Sequence, residues 1–257
     1  MREKNVARRC SHYCASYRAF GIEARGEYIH SLMLAEQIRH IEERIQHACE
    51  RSGRARDELT LVAVTKTQPI DVVNRAIAAG LTDIGENRVQ EYLAKQPQLQ
   101  PHRFHMIGHL QRNKVRQVLP HASMIHSVDS VALAEEIQRR SPGGEVRHDV
   151  LIEVNSSAED SKFGVMPADV PVLAGHIMKL PALRLRGLMT VAAYVEDVEL
   201  LRPAFRLMHT LRDELAEQYP DEEIRELSMG MTNDFEIAIE EGATLLRIGS
   251  AIFGPRA

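Results

Sequence analysis

Leu59-Thr60-Leu61-Val62-Ala63-Val64-Thr65-Lys66, followed by Thr67-Gln68-Pro69, is the stretch whose reading decides the fold. It is a short apolar, β-branched run bounded by a turn signal, the pattern of a parallel strand buried on both faces. A lysine stands at its last position. Burying an ammonium inside a strand costs several kcal/mol, whereas the carboxyl end of such a strand is where α/β proteins place their chemistry. There, partial desolvation keeps an amine neutral and able to attack a carbonyl. The plainer alternative is a lysine that reaches solvent past the strand end. The rest of the chain decides between the two.

Upstream, Leu34, Ile38, Ile41, Ile45 and Ala48 recur at steps of four and three, while Glu36, Arg39, Glu43 and Arg44 take the opposite face. That is an amphipathic helix laid against a core. Residues 1–32 do not read as a regular element and are expected to form a loosely ordered extension; a domain of 33–257 follows. Downstream, strands and helices alternate without interruption. Strands are expected at 59–66, 81–86, 103–108, 124–128, 149–154, 183–190, 224–229 and 244–252. Pro69, Asp129-Ser130 and Thr232-Asn233-Asp234 mark helix starts, and Gly80 and Gly242 mark helix ends. None of the eight runs is proline-broken or edge-like. The expected fold is a single (β/α)8 TIM barrel, with the leading helix as the eighth, rather than an open doubly wound sheet.

Composition narrows the function classes. Charged residues are mixed, and 32 basic against 36 acidic leave a net charge of −4, which gives no footprint for nucleic acid or an anionic membrane. No apolar run reaches the length of a membrane span. Three cysteines (Cys10, Cys14, Cys49) in 257 residues argue for a reducing compartment, and the basic start lacks the apolar stretch of a secretory signal. The chain is expected in the cytoplasm, as a monomer. Cys10 and Cys14 with His12 fall short of a tetrahedral metal shell. His102, His105 and His109 are split by strand alternation, so they do not share a metal.

A barrel puts function at the carboxyl ends of its strands, and polar groups and glycines collect there. Lys66 ends the first strand, Gly85-Glu86-Asn87 the second, Glu153 the fifth, Ser228-Met229-Gly230 the seventh, and Arg247-Ile248-Gly249-Ser250 the eighth. The loops after strands seven and eight are where such barrels frequently bind phosphate, using backbone amides and a helix start. A Schiff-base lysine with a phosphate cradle on the same rim points to pyridoxal 5′-phosphate (PLP). Arg247, one strand from Lys66 in a closed barrel, suits the pyridine nitrogen and would keep it unprotonated, which argues against transamination. The alternative for Arg247 is an ion pair with Glu86 or Glu153.

At this point the sequence resembles a known family, the pyridoxal phosphate homeostasis proteins. The motifs that carry the resemblance run in family order from about Met33 to the end: Ala63-Val64-Thr65-Lys66-Thr67, Gly85-Glu86-Asn87-Arg88-Val89-Gln90-Glu91, His105-Met106-Ile107-Gly108-His109, His126-Ser127-Val128-Asp129, Ser161-Lys162-Phe163-Gly164, Leu227-Ser228-Met229-Gly230-Met231-Thr232 and Arg247-Ile248-Gly249-Ser250. The resemblance implies a barrel like the N-terminal domain of alanine racemase (fold type III). It implies PLP held as a Schiff base on Lys66, with Arg247 near the pyridine nitrogen and Asn87 beside the ring. Ser228, the Met229 backbone, Gly249 and Ser250 would hold the phosphate. It also implies buffering or delivery of PLP, with PLP-dependent apoenzymes as recipients, and no turnover. Phe104, Glu153, Arg88 and Thr232 depart from the usual tryptophan, glutamine, tyrosine and serine.

The competing reading is a racemase-like or lyase-like PLP enzyme. Racemisation needs a base on each face of the substrate carbon. The resemblance places the second base in a further β-domain, which this chain is expected to lack because it ends just past strand eight. Tyr92 and Tyr194 are expected in the core or at the surface. Lys114 and Lys162 are left as solvated charges or as contacts of a secondary PLP site.

Overall fold

The computed structural model describes residues 22–157, 163–193, 195 and 197–254, with side chains from Leu32 onward. Residues 1–21, with Cys10, His12 and Cys14, lie outside the described residues, as do Ser161, Lys162 and Tyr194. Eight strands, β1 (Thr60–Val64), β2 (Asp83–Glu86), β3 (Arg103–Met106), β4 (Ala122–Val128), β5 (His148–Glu153), β6 (Leu183–Met189), β7 (Glu226–Ser228) and β8 (Leu245–Ile248), close in sequence order into one barrel. All neighbours are parallel, and β8 returns to β1 with Val62 opposite Arg247. The expected TIM barrel is therefore the observed fold.

The helices are α1 (Ile22–Ser52), α2 (Ile70–Ala78), α3 (Val89–Lys95), α4 (Val115–Val118), α5 (Val131–Arg140), α6 (Val170–Ile177), α7 (Arg202–Gln218), α8 (Phe235–Glu240) and α9 (Ser250–Phe253). The stripe Leu34, Ile38, Ile41, Ile45 and Ala48 is buried, and α1 packs on α8, α9 and α2. It thus fills the gap in the helical ring between the last strand and the first. Its backbone begins at Ile22, well ahead of Leu34, where the apolar stripe starts, so residues 22–32 are helical rather than irregular. The stripe is what the core demands, and a helix has no need to stop where its apolar face does.

Local chemistry explains the other boundaries. The Ser130 hydroxyl accepts from the Leu133 amide and opens α5, whose Leu133, Ala134 and Ile137 face inward at steps of one, three and four. Asp234 precedes α8 but does not cap it forward; its carboxylate accepts from the Met231 amide behind it at 2.5 Å. Strand eight, expected to run to Ile252, stops at Ile248, and Ser250–Phe253 is the short helix α9.

In a closed barrel each strand has an inner and an outer face, with period two. Ile84, Phe104, Met106, Ile125, Val150, Ile152, Leu188, Leu227, Leu246 and Ile248 belong to the large core shared with the helices. Their alternates point inward. Val62, Leu151, Met189 and Leu245, with Met124 against them, form a small apolar plug of their own inside the barrel. The other inward places hold polar groups, which is where the site begins.

Candidate active site at the barrel mouth

A cavity of about 320 Å³ opens at the carboxyl ends of the strands, and Lys66, Asn87, Arg247, Gly249 and Ser250 line it. Five of the seven residues singled out in the sequence therefore meet in one place. Met231, Thr232, Asn233 and Asp234 from the β7–α8 loop complete that side. Ser228 and Met229 do not line the cavity; both are buried beneath it.

Lys66 follows β1 in a tight turn closed by the Gln68 amide on the Thr65 carbonyl at 3.0 Å. Thr67, two places into the turn, has φ = +64°, a region that β-branched residues avoid. Its amide donates to Glu91 Oε1 of α3. Thr65 is held as firmly: its hydroxyl donates to Glu86 Oε1 at 2.8 Å, and its carbonyl accepts from Lys95 Nζ at 2.9 Å. Lys95 also donates to Glu86 and Glu91, each at 2.8 Å. Burial pushes the Glu86 carboxyl above its usual range. Burial acts on Glu91 in the same sense, but the Lys95 and Thr67 bonds outweigh it and leave that carboxyl low.

Arg247 is buried, and burial draws its guanidinium down to about 10, so it stays charged at neutral pH. It donates to Ser228 Oγ at 2.5 Å and to the Thr190 carbonyl at 2.7 Å. No ion pair to Glu86 or Glu153 forms: Glu86 belongs to Lys95, and Glu153 acts on Arg247 only through its field. Behind Ser228 a chain of hydrogen bonds crosses the barrel. Ser228 Oγ meets His126 Nδ1 at 2.9 Å, His126 Nε2 meets His105 Nδ1 at 2.9 Å, and His105 Nε2 meets Asp83 Oδ1 at 2.9 Å. Every link is satisfied in one direction when Arg247 donates to Ser228, Ser228 to His126, His126 to His105, and His105 to Asp83. Burial, reinforced by the Arg247 charge, holds His126 well below the usual histidine range and so in the neutral form this chain needs.

The two loops of the phosphate hypothesis are tied together by hydroxyls. Ser250 Oγ donates to Thr232 Oγ1 at 3.0 Å, and Thr232 Oγ1 accepts from the Ala251 amide at 3.3 Å. Gly230, at φ = +91°, lets the first loop fold over α8: a Cβ there would lie 2.7 Å from the Ala238 Cβ. Gly249 packs on β1, where an added Cβ would lie 3.2 Å from the Val64 Cβ.

Other expectations sort as follows. His102 donates from Nδ1 to the Gln100 carbonyl and meets the Tyr92 hydroxyl through Nε2, His105 lies inside the barrel, and His109 pairs with Asp129 and stacks on Phe163. Tyr92 is core: it stacks on Phe104 at 3.6 Å, and burial raises its hydroxyl to about 12. Glu153 points inward, its Oε2 is buried without a hydrogen-bond partner, and burial with the nearby Asp129 raises it to about 7. Asp83, His105, His126 and Lys95 were not singled out for a role in the sequence. In barrel strands both faces are buried, so apolar content does not tell the inner face from the outer.

The site and fold define a class: a parallel barrel whose mouth is lined by an amine, an arginine and two glycine-bearing loops. The family described as alanine racemase, N-terminal domain, matches residues 37–257. The pyridoxal phosphate homeostasis protein of Aquifex aeolicus (strain VF5) is 44% identical over 223 residues, covering 86% of this chain and 97% of the relative. That of Escherichia coli (strain K12) is 38% identical over 232 residues, 87% and 97% of the two chains. Among solved structures, PipY of Synechococcus elongatus PCC7942 with PLP bound superimposes with a TM-score of 0.74 at 33% identity, covering 86% of this chain and all of that one (100%). The alanine racemase of Clostridium difficile 630 shares the fold at a TM-score of 0.68 and 13% identity, and this chain covers 57% of its length. The chain belongs to the pyridoxal phosphate homeostasis protein family.

Proposed function

We propose that this protein binds pyridoxal 5′-phosphate at the barrel mouth and serves its homeostasis, buffering the cofactor and handing it to PLP-dependent apoenzymes without turning over a substrate. The observation that carries the reading is the meeting of Lys66, Arg247 and the β7 and β8 loops around one cavity of about 320 Å³. The donor set suits the cofactor. A lysine amine matches the aldehyde, a guanidinium the ring nitrogen, and hydroxyls with backbone amides the phosphate. Lys66 would hold the cofactor through its aldehyde, a condensation that releases one water and needs no oxidant or reductant. Thr232 and Ser250, which line the cavity, are the hydroxyls that would hold the phosphate, rather than the buried Ser228. Ser228 instead steadies Arg247.

The absence of turnover rests on what faces the cavity. Besides Lys66, the ionisable groups among its described lining residues are Arg247 and Asp234. Arg247 stays protonated, and the Asp234 carboxylate is engaged by the Met231 amide. Tyr92, the described tyrosine nearest the strand-end motifs in sequence, is stacked in the core. A base for the second face of a substrate carbon is not supplied by these groups.

An absorbance spectrum of the purified protein with PLP tests the reading. The wild type develops a visible Schiff-base band, which borohydride makes permanent, and Lys66→Ala does not. A band that persists unchanged in Lys66→Ala overturns the role of Lys66. Steady interconversion of L- and D-alanine by the wild type overturns the carrier reading.

A further inference from the structure

Lys95 lies on α3, away from the cavity lining, yet its ammonium is almost completely enclosed and all three of its donors are used: on the Thr65 carbonyl, on Glu86 and on Glu91. An ammonium has three N–H groups, and burying it costs several kcal/mol unless each is met. What the cluster surrounds is the backbone of the turn that carries Lys66. Thr65, on one side, is bound by Lys95 through its carbonyl and by Glu86 through its hydroxyl. Thr67, on the other side, is bound by Glu91 through its amide. Both carboxylates are in turn held by Lys95. Thr67 sits at φ = +64°, a conformation that persists only where the surroundings impose it.

We propose that Lys95 is a positioning residue for Lys66: through Glu86 and Glu91 it fixes the Thr65–Thr67 turn, so that the Lys66 amine is presented to the cavity in the geometry needed to capture an aldehyde. The proposal rests on the reading of Lys66 as the covalent anchor. Glu91 and Lys95 stand one helical turn apart on α3, and Glu86 ends β2, so the clamp joins the second strand and its helix to the end of the first. The three groups act as a unit. Without Lys95 the two carboxylates are left close together and unneutralised, Glu86 is buried, and both release the turn.

The test compares two ligands. PLP binds through ring, phosphate and aldehyde; pyridoxine 5′-phosphate has the same ring and phosphate but an alcohol in place of the aldehyde. Dissociation constants for both are measured on the full chain, wild type and variants, by fluorescence titration. Lys95→Met combined with Glu86→Gln removes the ammonium without leaving a buried carboxylate alone. Glu91→Ala, at a partly exposed site, releases Thr67 separately. Circular dichroism checks that each is folded, and Glu91→Ala decides if the double variant is not.

Affinity for PLP falls about tenfold to a hundredfold, the size expected for lost bonds to charged groups, while affinity for pyridoxine 5′-phosphate stays within about twofold of the wild type. Equal loss for both ligands means a purely structural role and overturns the proposal, as does no loss for either. Lys66→Ala is the separate control. It must abolish the preference for the aldehyde; if it does not, the anchor reading fails independently of Lys95.

Discussion

The two sides of the barrel mouth hold their functional groups by different means. On the β1–β2 side the cluster of Lys95, Glu86 and Glu91 grips backbone, the carbonyl and amide that flank Lys66, while Lys66 itself lines the cavity. On the β7–β8 side the bonds end on a side chain: Asp83, His105, His126 and Ser228 form a line that terminates on the Arg247 guanidinium. An amine that must form and release a covalent bond needs a fixed base and a mobile tip. An arginine that recognises a ring nitrogen needs its planar fork held rigid, because its selectivity lies in direction. Under the proposed function, the first side governs capture and the second governs recognition.

Arg247→Met is the strongest way to break that contrast. It strands the Thr190 carbonyl and takes one donor from Ser228 Oγ, which keeps its bond to His126, and at about 1–3 kcal/mol for the buried group left unpaired the fold loses about 1–3 kcal/mol, read by urea unfolding. Its affinities for PLP and pyridoxine 5′-phosphate fall by the same factor, the opposite of the Lys95 result. A loss confined to PLP would erase the distinction between the two sides.

A smaller effect sharpens the comparison through pH. Glu153 lies beside the Arg247 line with its carboxyl raised from 4.5 to about 7. Between those values the folded state keeps a proton that the unfolded chain has released, so its contribution is present below about 4.5 and is lost as pH rises through about 7. His126 acts in the other sense. Its folded pKa lies well below 6.5, so its contribution is present above 6.5 and is lost as pH falls. The two slopes oppose each other in mildly acidic solution. Glu153→Gln removes one, and chemical denaturation across pH 4.5–7 should then show stability rising more steeply with pH, by up to about 3 kcal/mol over the interval. An unchanged profile would mean that Glu153 is ionised in the folded protein.

Gly249→Ala gives the smallest change and probes where the two sides touch. The added methyl presses on Val64, at the end of the lysine strand. Relief requires a shift of a few tenths of an ångström, at a cost of about 1 kcal/mol. Affinity for PLP should fall more than affinity for pyridoxal, which lacks the phosphate. Equal losses would place the phosphate elsewhere.

Much of this site was legible before any coordinates. Lys66, Asn87, Arg247, Gly249 and Ser250 stand at strand ends, and a parallel barrel gathers strand ends on one rim. Ser228 was legible as a strand-end hydroxyl, but not as a group turned away from the mouth toward His126. That depends on the inner and outer faces of β7, which a three-residue strand with buried neighbours on both sides does not announce. The ion pair weighed for Arg247 with Glu86 or Glu153 fails for the same kind of reason: Glu86 is claimed by Lys95, nine residues further along the chain, through the packing of α3 on β2.

The amino-acid order by itself determined the alternation of eight strands and their helices, the amphipathic helix that completes the ring, and the rim on which the reactive groups stand. These follow from periodicity and turn chemistry, which act over a few residues. Only the tertiary structure decided which polar side chains share the interior and whom they bind. Asp83, His105, His126, Ser228 and Arg247 come from five different strands, and their pairing is set by barrel closure and register. Hydrogen bonds of that kind depend on distances of about 3 Å between groups far apart in the chain, and no local pattern carries them.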